Sequence, residues 1–187
     1  MLYTEDEVTQ SPLIPEPLLR SILNQEYGII GGNVHVLTGY EDSNFKLTEV
    51  KWEDEISNGT NEVIVKVTNP IEAKELEVID IQYEIYSLLR SKGVPTPEGI
   101  RTKSGLLWTE QLVKDQLKLP VRVFKLLPGS NLENFDFTPE LTEQIGRMLA
   151  VVHDTLDGYS RKLSHIPFIS PENVLCVQRE MTILESR

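Results

Sequence analysis

The chain has 187 residues, of which 40% are hydrophobic, and its 18 basic and 29 acidic side chains give a formal net charge of −11. This length fits one domain, or one lobe and part of another, and the apolar content is sufficient for a hydrophobic core. The acidic balance excludes a general nucleic-acid binder, because such a protein needs a basic surface to displace counterions from phosphates. Cys176 is the one cysteine, so no intrachain disulfide forms.

The N-terminal residues 1–7 are acidic and lack the basic and then apolar pattern of a secretory signal. No apolar stretch of the sequence approaches the roughly 20 residues that a membrane span needs. We therefore expect a cytoplasmic protein without a membrane partner. Residues 1–14 are polar and contain a proline, which predicts a flexible N-terminus.

Apolar periodicity predicts a helix at residues 15–27 and then three strands. Gly28, Gly31 and Gly32 are expected to interrupt the chain between the helix and the first strand. The three strands are predicted at residues 33–38, 44–52 and 62–68. An Asn58-Gly59 pair, a strong signal for a hairpin turn, lies between the second and third strands, so an antiparallel meander is the simplest arrangement.

A long helix is predicted at residues 72–92, with Gly93 as its C-terminal cap. Its apolar stripe consists of Val78, Ile81, Ile85, Leu88 and Leu89. Two further strands, at residues 106–113 and 121–127, complete the sheet, and Thr138 is a suitable N-cap for a last helix. The predicted fold class is α+β, with an antiparallel sheet of about five strands and one helix inserted after the third.

Lys66 is the first candidate for chemistry, because it lies in the β-branched strand Glu62–Val67. A lysine on an interior strand costs free energy unless its ammonium group is paired. In kinase-type sites, nucleotide phosphates and a carboxylate of the following helix provide that pairing. Asp80 or Glu84, which share a helix face, is the predicted partner of Lys66. The alternative is an edge-strand lysine in water, with these carboxylates on a solvated helix face.

The turn of residues 39–44 is the second candidate, because it joins the first two strands, where a kinase-type fold covers the phosphates. Ser43 and the nearby backbone amides are predicted to donate to phosphate oxygens. The acidic neighbours Glu41 and Asp42 would oppose a triphosphate unless their side chains face away. The turn lacks the several glycines of a protein-kinase loop, so an ordinary hairpin turn explains these residues equally well.

The third candidate is the end of the last strand, where Val123, Phe124 and Lys125 precede Pro128-Gly129. The backbone groups of these strand residues are predicted to face a purine edge, and the glycine would let the chain turn toward a second lobe. A plain strand followed by a Pro-Gly turn is the alternative.

No catalytic loop is found in the sequence. Phosphoryl transfer needs an aspartate that positions the acceptor hydroxyl and further residues that hold magnesium. The nearest candidates, His153-Asp154 and Asp157-Gly158, have the wrong mutual spacing and fall in or at the end of the last predicted helix. The sequence therefore predicts no catalytic residue and no metal site.

The order of these features resembles the aminoglycoside phosphotransferase and choline kinase superfamily and, within it, the hydroxylysine kinase family. The resemblance covers roughly residues 15–165 and rests on short matches at Glu41–Phe45, Val65–Val67, Asn69, Ile79–Gln82, Leu88–Pro97, Val121–Val123, Leu126–Gly129, Gln144–Gly146 and Leu149–His153.

The resemblance implies a kinase-like fold of two lobes. It also implies phosphate transfer from GTP, or from ATP, with Mg²⁺ to the side-chain hydroxyl of 5-hydroxylysine. Lys66 would contact the phosphates, Asp80 or Glu84 would be its helix partner, and residues 123–126 would face the purine.

The same resemblance implies the domain organisation. Residues 15–129 are expected to form the nucleotide-binding lobe, and residues 130–187 the incomplete start of a helical second lobe. The catalytic aspartate and the metal ligands of the family would lie beyond Arg187, so a truncated form without activity of its own is expected.

Two alternatives stay open at this point. The chain could be a non-catalytic nucleotide-binding or regulatory module, whose exposed lobe face a protein partner covers. It could also derive from a kinase of the choline or homoserine type, since acceptor-binding residues would lie mostly outside this sequence.

Overall fold

The structure is a computed structural model that describes residues 11–39, 41–54, 60–114, 116–130, 135–157 and 159. In chain order its elements are α1 (Glu16–Ile22), a π-helical turn (Leu23–Tyr27), β1 (Ile29–Leu37), β2 (Ser43–Trp52), β3 (Glu62–Val67), a 3₁₀ turn (Glu72–Lys74), α2 (Leu76–Ser91), β4 (Thr109–Lys114), β5 (Leu117–Lys125) and α3 (Pro139–Asp157). The predicted Asn58-Gly59 turn, and most of the predicted flexible N-terminus and second lobe, lie outside the described residues.

The five strands form one sheet in the order β1-β2-β3-β5-β4. All four neighbouring pairs are antiparallel. α2 is inserted between β3 and β4 in the chain. The predicted α+β class, with five antiparallel strands and one helix after the third, is confirmed.

Strand β1 begins earlier than predicted, because it continues through Gly31 and Gly32, two of the three glycines that were expected to interrupt the chain. The third, Gly28, has φ 70° and does end the preceding π-helical turn. Gly31 pairs with Lys51, and the register is irregular between Ile29 and Asn33. Gly32 has φ 137°, and a Cβ there would lie 3.0 Å from the carbonyl oxygen of Thr48. The glycines therefore form an irregularity within the strand, where the backbones of β1 and β2 approach closely, and do not end it.

The sheet has one face toward α1 and the other toward α2. Leu19 of α1 and, on the sheet, Val63, Val65, Val121 and Val123 are all fully buried in the larger core cluster. Because side chains alternate along a strand, the intervening residues face α2. These are Ile64, Lys66, Arg122 and Phe124, and the register places Ile64 opposite Phe124 and Lys66 opposite Arg122.

Helix α2 packs on this second face mainly through residues outside the predicted stripe, although Ile81 and Leu89 of that stripe are buried. Ile79 and Tyr83 are buried against Phe124, and the rings of Tyr83 and Phe124 are stacked with centroids 5.7 Å apart. Val78 and Ile85 of the predicted stripe are only half-buried. The tyrosine contributes a large apolar ring while its hydroxyl donates to a backbone oxygen, so it lies on the packed face although it counts as polar in a simple pattern. Gly93, with φ 80°, follows the helix as predicted.

Helix α3 begins as predicted, since the backbone N–H of Leu141 donates to Thr138 Oγ1 at 3.2 Å. None of its described side chains is buried, and Met148 and Leu149 are about half exposed. No helix among the described residues has the length and apolarity required to cross a membrane.

Candidate functional site

A mainly apolar cleft lies beside the α2 face of the sheet. It has a volume of about 270 Å³ and is lined by Ile64, Lys66, Tyr86, Pro97, Arg122, Phe124, Lys125, Leu126 and Leu127. Along the strands, the opposed pair Lys66 and Arg122 lies at one end, the apolar pair Ile64 and Phe124 follows, and the chain leaving β5 closes the other end. The cleft therefore combines flat apolar walls with two cations at one end.

A larger cavity of about 630 Å³ lies next to Tyr27 and Ile100. Its charged rim is engaged in ion pairs, which join Lys103 to Glu53 and Lys125 to Glu98. Neither Lys66 nor Arg122 lines it. The smaller cleft is the better candidate, because it contains the two charged residues that lie within apolar strands.

Lys66 forms an ion pair with Asp42, which lies just before β2 in the β1–β2 turn. Asp42 is 7% exposed, and its Oδ1 also accepts hydrogen bonds from the backbone N–H and the side-chain amide of Asn69, at 2.7 and 3.0 Å. Burial alone would raise the pKa of Asp42. The ion pair with Lys66 and the bonds from Asn69 outweigh burial and hold that pKa below its usual range. Asp42 is therefore a carboxylate anion at neutral pH.

Arg122 is the second cation of the site and is 1% exposed. Its Nη1 donates to Gln82 of α2 at 2.6 Å, and its Nη2 donates to Thr68 Oγ1 at 3.2 Å. Its Nε has no hydrogen-bond partner, and the guanidinium carbon lies 5.8 Å from the centre of the Phe124 ring. Within the described part of the chain, no carboxylate forms an ion pair with Arg122. A buried guanidinium held only by neutral acceptors is costly, so an anion beside it would be stabilising.

Glu72, in the 3₁₀ turn after β3, is the other acidic residue near these cations. It is half-buried. Burial raises its pKa, the charge of Asp42 raises it further, and the charges of Lys66 and Arg122 partly oppose this effect. Glu72 therefore carries its negative charge at a free-energy cost in the folded chain.

The predicted helix partners of Lys66 have other contacts in the structure. Asp80 Oδ1 accepts a hydrogen bond from Trp108 Nε1 at 2.8 Å. Glu84 accepts a hydrogen bond from the hydroxyl of Tyr159. The ion pair shown for Lys66 is with the loop residue Asp42, so the predicted pairing with a helix carboxylate differs from the observed one. The reason is the orientation of α2, which turns Ile79 and Tyr83 toward the sheet.

Ser43 lies at the start of β2, as predicted, and its hydroxyl donates to the backbone oxygen of Pro12. The segment before α1 therefore lies against the β1–β2 turn. In this arrangement the Ser43 hydroxyl is engaged within the protein, and its predicted contact with a phosphate would need that bond to break.

Only part of the predicted purine-facing segment lines the cleft. The carbonyl oxygen of Val123 accepts from the N–H of Ile100 at 2.7 Å, and the N–H of Lys125 donates to the oxygen of Glu98 at 2.9 Å. The side chain of Val123 lies in the opposite core, whereas Phe124 and Lys125 line the cleft. Because residues 98–100 occupy these backbone groups, the chain after Lys125 is the part next to the cleft.

Arg122 and Asp42 are the two site residues that sequence reasoning did not assign. A signal existed for Arg122, because it interrupts an apolar strand between Val121 and Val123 just as Lys66 interrupts β3. The contact of Asp42 with Lys66 follows from the β2–β3 register, in which Asn44 lies opposite Lys66. Turn residues follow no periodicity, so the sequence pattern does not indicate that Asp42 would contact Lys66.

The comparison with solved structures identifies the class of fold. The structure is similar to amicoumacin kinase hAmiN, solved in complex with AMP-PNP, Ca²⁺ and Ami, with a TM-score of 0.60 and 16% sequence identity. The match covers 75% of this chain and 39% of that chain. The described fold is thus a kinase-like N-terminal lobe followed by a helix, as the sequence predicted.

The curated relatives are more specific, and they confirm the predicted resemblance to hydroxylysine kinase. The hydroxylysine kinase of Xenopus laevis is 30% identical over 148 residues, which is 78% of this chain and 39% of the relative. The hydroxylysine kinase of Bos taurus is 26% identical, and the match covers 97% of this chain and 48% of the relative. The hydroxylysine kinase of Danio rerio is 25% identical, and the match covers 92% of this chain and 44% of the relative. The chain spans about half the length, or less, of the curated relatives it matches. No protein-family model matches the chain.

Proposed function

We propose that this chain is the nucleotide-binding part of a small-molecule phosphotransferase that transfers phosphate from GTP to the side-chain hydroxyl of 5-hydroxy-L-lysine. The names of the curated relatives support the reaction, and the kinase fold supports a nucleotide as donor. Residues 15–129 would form the nucleotide-binding lobe, and residues 130–187 would begin a helical second lobe. The cytoplasm is the compartment we propose.

The cleft beside α2 is the observation that carries this proposal. A nucleotide has a flat aromatic base and an anionic tail, and the cleft offers apolar walls at Ile64 and Phe124 and the cations Lys66 and Arg122 beyond them. The side chain of Lys66 is 33% exposed, so its ammonium can be reached from solvent. An ammonium has three donors, and Asp42 does not occupy all of them. Lys66 is the residue we assign to the phosphates.

The other predicted nucleotide contacts remain proposals, and the observations that support them differ from residue to residue. Phe124 and Lys125 line the cleft, so they are placed to contact a base or ribose. Ser43 would act only after its hydrogen bond to Pro12 breaks. Asp80 and Glu84 would act as partners of Lys66 only after the Lys66 side chain moves, because its ion pair is with Asp42.

Magnesium is implied by the family resemblance, but the described residues do not supply a site for it. No group of three or more metal-ligating His, Cys, Asp or Glu side chains occurs among them. Asp42 is engaged with Lys66 and Asn69. No chemical step through a metal is therefore assigned to this chain.

Nucleotide binding is tested by thermal unfolding and calorimetry with GTP and with ATP. A ligand at 100 times its dissociation constant stabilises the folded chain by about 2.7 kcal/mol. Lys66→Met should abolish this stabilisation. Lys103→Met, which removes a lysine from the exposed ion pair with Glu53, should keep it. No stabilisation of the wild-type chain, or an equal effect in Lys66→Met, would contradict the proposed phosphate contact.

Turnover is tested separately, by incubating the chain with GTP, Mg²⁺ and 5-hydroxylysine and measuring phosphohydroxylysine by mass spectrometry. We expect no product, because the sequence contains no recognisable catalytic loop. Product formation by the 187-residue chain would show that a residue of this chain performs the catalytic role.

A non-catalytic binding module is the second candidate, and the exposure of α3 favours it. Its apolar residues Met148, Leu149 and Val151 are between 38% and 51% exposed. Light scattering on the purified chain tests this candidate. If the chain is a stable monomer that binds nucleotide, no second molecule covers the apolar face of α3, and a module that acts through this face is not supported.

A further inference from the structure

Asp42 lies where the proposed nucleotide phosphate would meet Lys66. The Asp42 side chain is 9% exposed, forms an ion pair with the Lys66 ammonium, and belongs to the β1–β2 turn. Sequence reasoning showed that an acidic residue in this turn opposes a triphosphate unless its side chain faces away. The structure turns Asp42 inward, onto the cation that the phosphate requires.

The position of Asp42 does not depend on Lys66. Asn69 is fully buried and donates both its backbone N–H and its side-chain amide to Asp42 Oδ1. The side-chain oxygen of Asn69 in turn accepts from the N–H groups of Ile71 and Glu72, each at 3.0 Å. The carboxylate is thus fixed by the chain after β3. The Lys66 side chain, by contrast, is flexible and partly exposed, so it is the mobile partner of the pair.

Asp42 also provides the charge balance of the site. Lys66 and Arg122 are directly opposite each other on neighbouring strands, and like charges in that position repel. Asp42 forms the ion pair that offsets this repulsion. An arriving phosphate would offer the same compensation, so the carboxylate and the phosphate act on the same cations with charges that repel each other.

We propose that Asp42 is a positioning residue that competes with the ligand phosphate for Lys66 and thereby weakens nucleotide binding. This inference rests on the proposed nucleotide site. The Lys66 ammonium moves from Asp42 toward the phosphate when nucleotide binds, and Asp42 stays on Asn69. Removing the negative charge of Asp42 therefore strengthens binding, whereas removing a residue with a merely structural role would weaken it.

The experiment measures the dissociation constant of GTP, and of inorganic tripolyphosphate as a probe without a base, by calorimetry on the whole chain. Asp42→Asn should bind both probes about tenfold more tightly, a difference of about 1.4 kcal/mol. If Asp42→Asn does not fold, Asp42→Ser replaces it, because serine is neutral and retains an oxygen acceptor for Asn69. Asp42→Ser should show the same tighter binding. Asp42→Glu restores the charge and should restore wild-type affinity.

Two controls separate the local effect from a change in net charge. Glu53→Gln also removes one negative charge, but from the exposed ion pair with Lys103, so its affinity should stay within about twofold of the wild type. Adding Asp42→Asn to Lys66→Met should give a smaller gain than Asp42→Asn alone, because the ammonium for which Asp42 competes is gone and only the direct repulsion between Asp42 and the phosphate is relieved.

The outcomes distinguish this inference from the proposed function. If the wild type binds nucleotide through Lys66 and the neutral Asp42 variants bind equally or more weakly, the competition is refuted and the nucleotide site stands. If neither the wild type nor a folded neutral variant binds GTP or tripolyphosphate, both proposals are refuted. Tighter binding by a neutral variant that Lys66→Met reduces supports both.

Discussion

Replacing Arg122 with methionine should destabilise the chain and weaken nucleotide binding. The substitution removes the hydrogen bonds to Gln82 and Thr68, at 2.6 and 3.2 Å. Hydrogen bonds with a charged partner contribute about 1.5–3 kcal/mol each, net of the desolvation of the groups involved, so their loss costs about 3–6 kcal/mol. Thr68, which is fully buried, is left without this donor.

Part of this loss is recovered, because methionine is flexible and its apolar side chain fills the space left beside Phe124. We therefore expect the free energy of unfolding of Arg122→Met to be about 2–4 kcal/mol lower than the wild-type value. The affinity for GTP should fall about tenfold, because a positive charge next to Lys66 is lost.

Urea denaturation followed by circular dichroism measures the stability of Arg122→Met, and calorimetry with GTP measures the affinity. Val123→Ala is the matched control on the same strand, because its side chain is fully buried on the opposite face. It should destabilise the chain by about 2 kcal/mol and leave GTP affinity unchanged. A loss of less than about 1 kcal/mol in Arg122→Met would refute the reasoning, since the two hydrogen bonds of the guanidinium would then contribute little net stability.

Two further predictions concern residues that do not line the cleft, Glu72 and Gly99. Burial and the charge of Asp42 raise the pKa of Glu72 in the folded chain. The side chain is therefore protonated in both states well below the ordinary value of about 4.3, begins to destabilise the fold as the pH rises past that value, and has its full effect above the raised pKa. Glu72→Gln should therefore be more stable than the wild type at pH 7, with a difference that disappears toward about pH 3. A pH-independent difference in urea denaturation would contradict this. A Cβ at Gly99 would lie 2.6 Å from the ring of Tyr83, so Gly99→Ala should lower the free energy of unfolding by about 1–3 kcal/mol. Gly146→Ala in α3, where a Cβ meets no atom within 4 Å, is its control and should be neutral or stabilising by up to about 1 kcal/mol.

Much of the sheet could be predicted because its strands have one or two buried faces. The run Glu62–Val67 predicted a strand with Lys66 inside it, and the structure places that strand at the centre of the sheet. Gly31 and Gly32 misled the prediction, because glycine also occurs at irregularities within a strand where two backbones approach closely.

The candidate site was less accessible to sequence reasoning, since its contacts join residues far apart in the chain. The pairing of Lys66 with Asp42 depends on the register between β2 and β3. The choice against Asp80 and Glu84 depends on how α2 is turned on the sheet, and this is set by the stacking of Tyr83 on Phe124.

Pattern alone was sufficient for the order of strands and helices along the chain and for the position of a lysine within an apolar strand, because these features are local and periodicity and caps identify them. The resemblance to hydroxylysine kinase rested instead on short residue matches in the same order. Three features required the tertiary structure: the ion pair of Asp42 with Lys66, the position of Arg122 beside Lys66, and the pairing of residues 98–100 with the backbone groups at the end of β5. A pattern specifies which face of an element is buried, whereas strand register and helix orientation determine which side chain lies opposite that face.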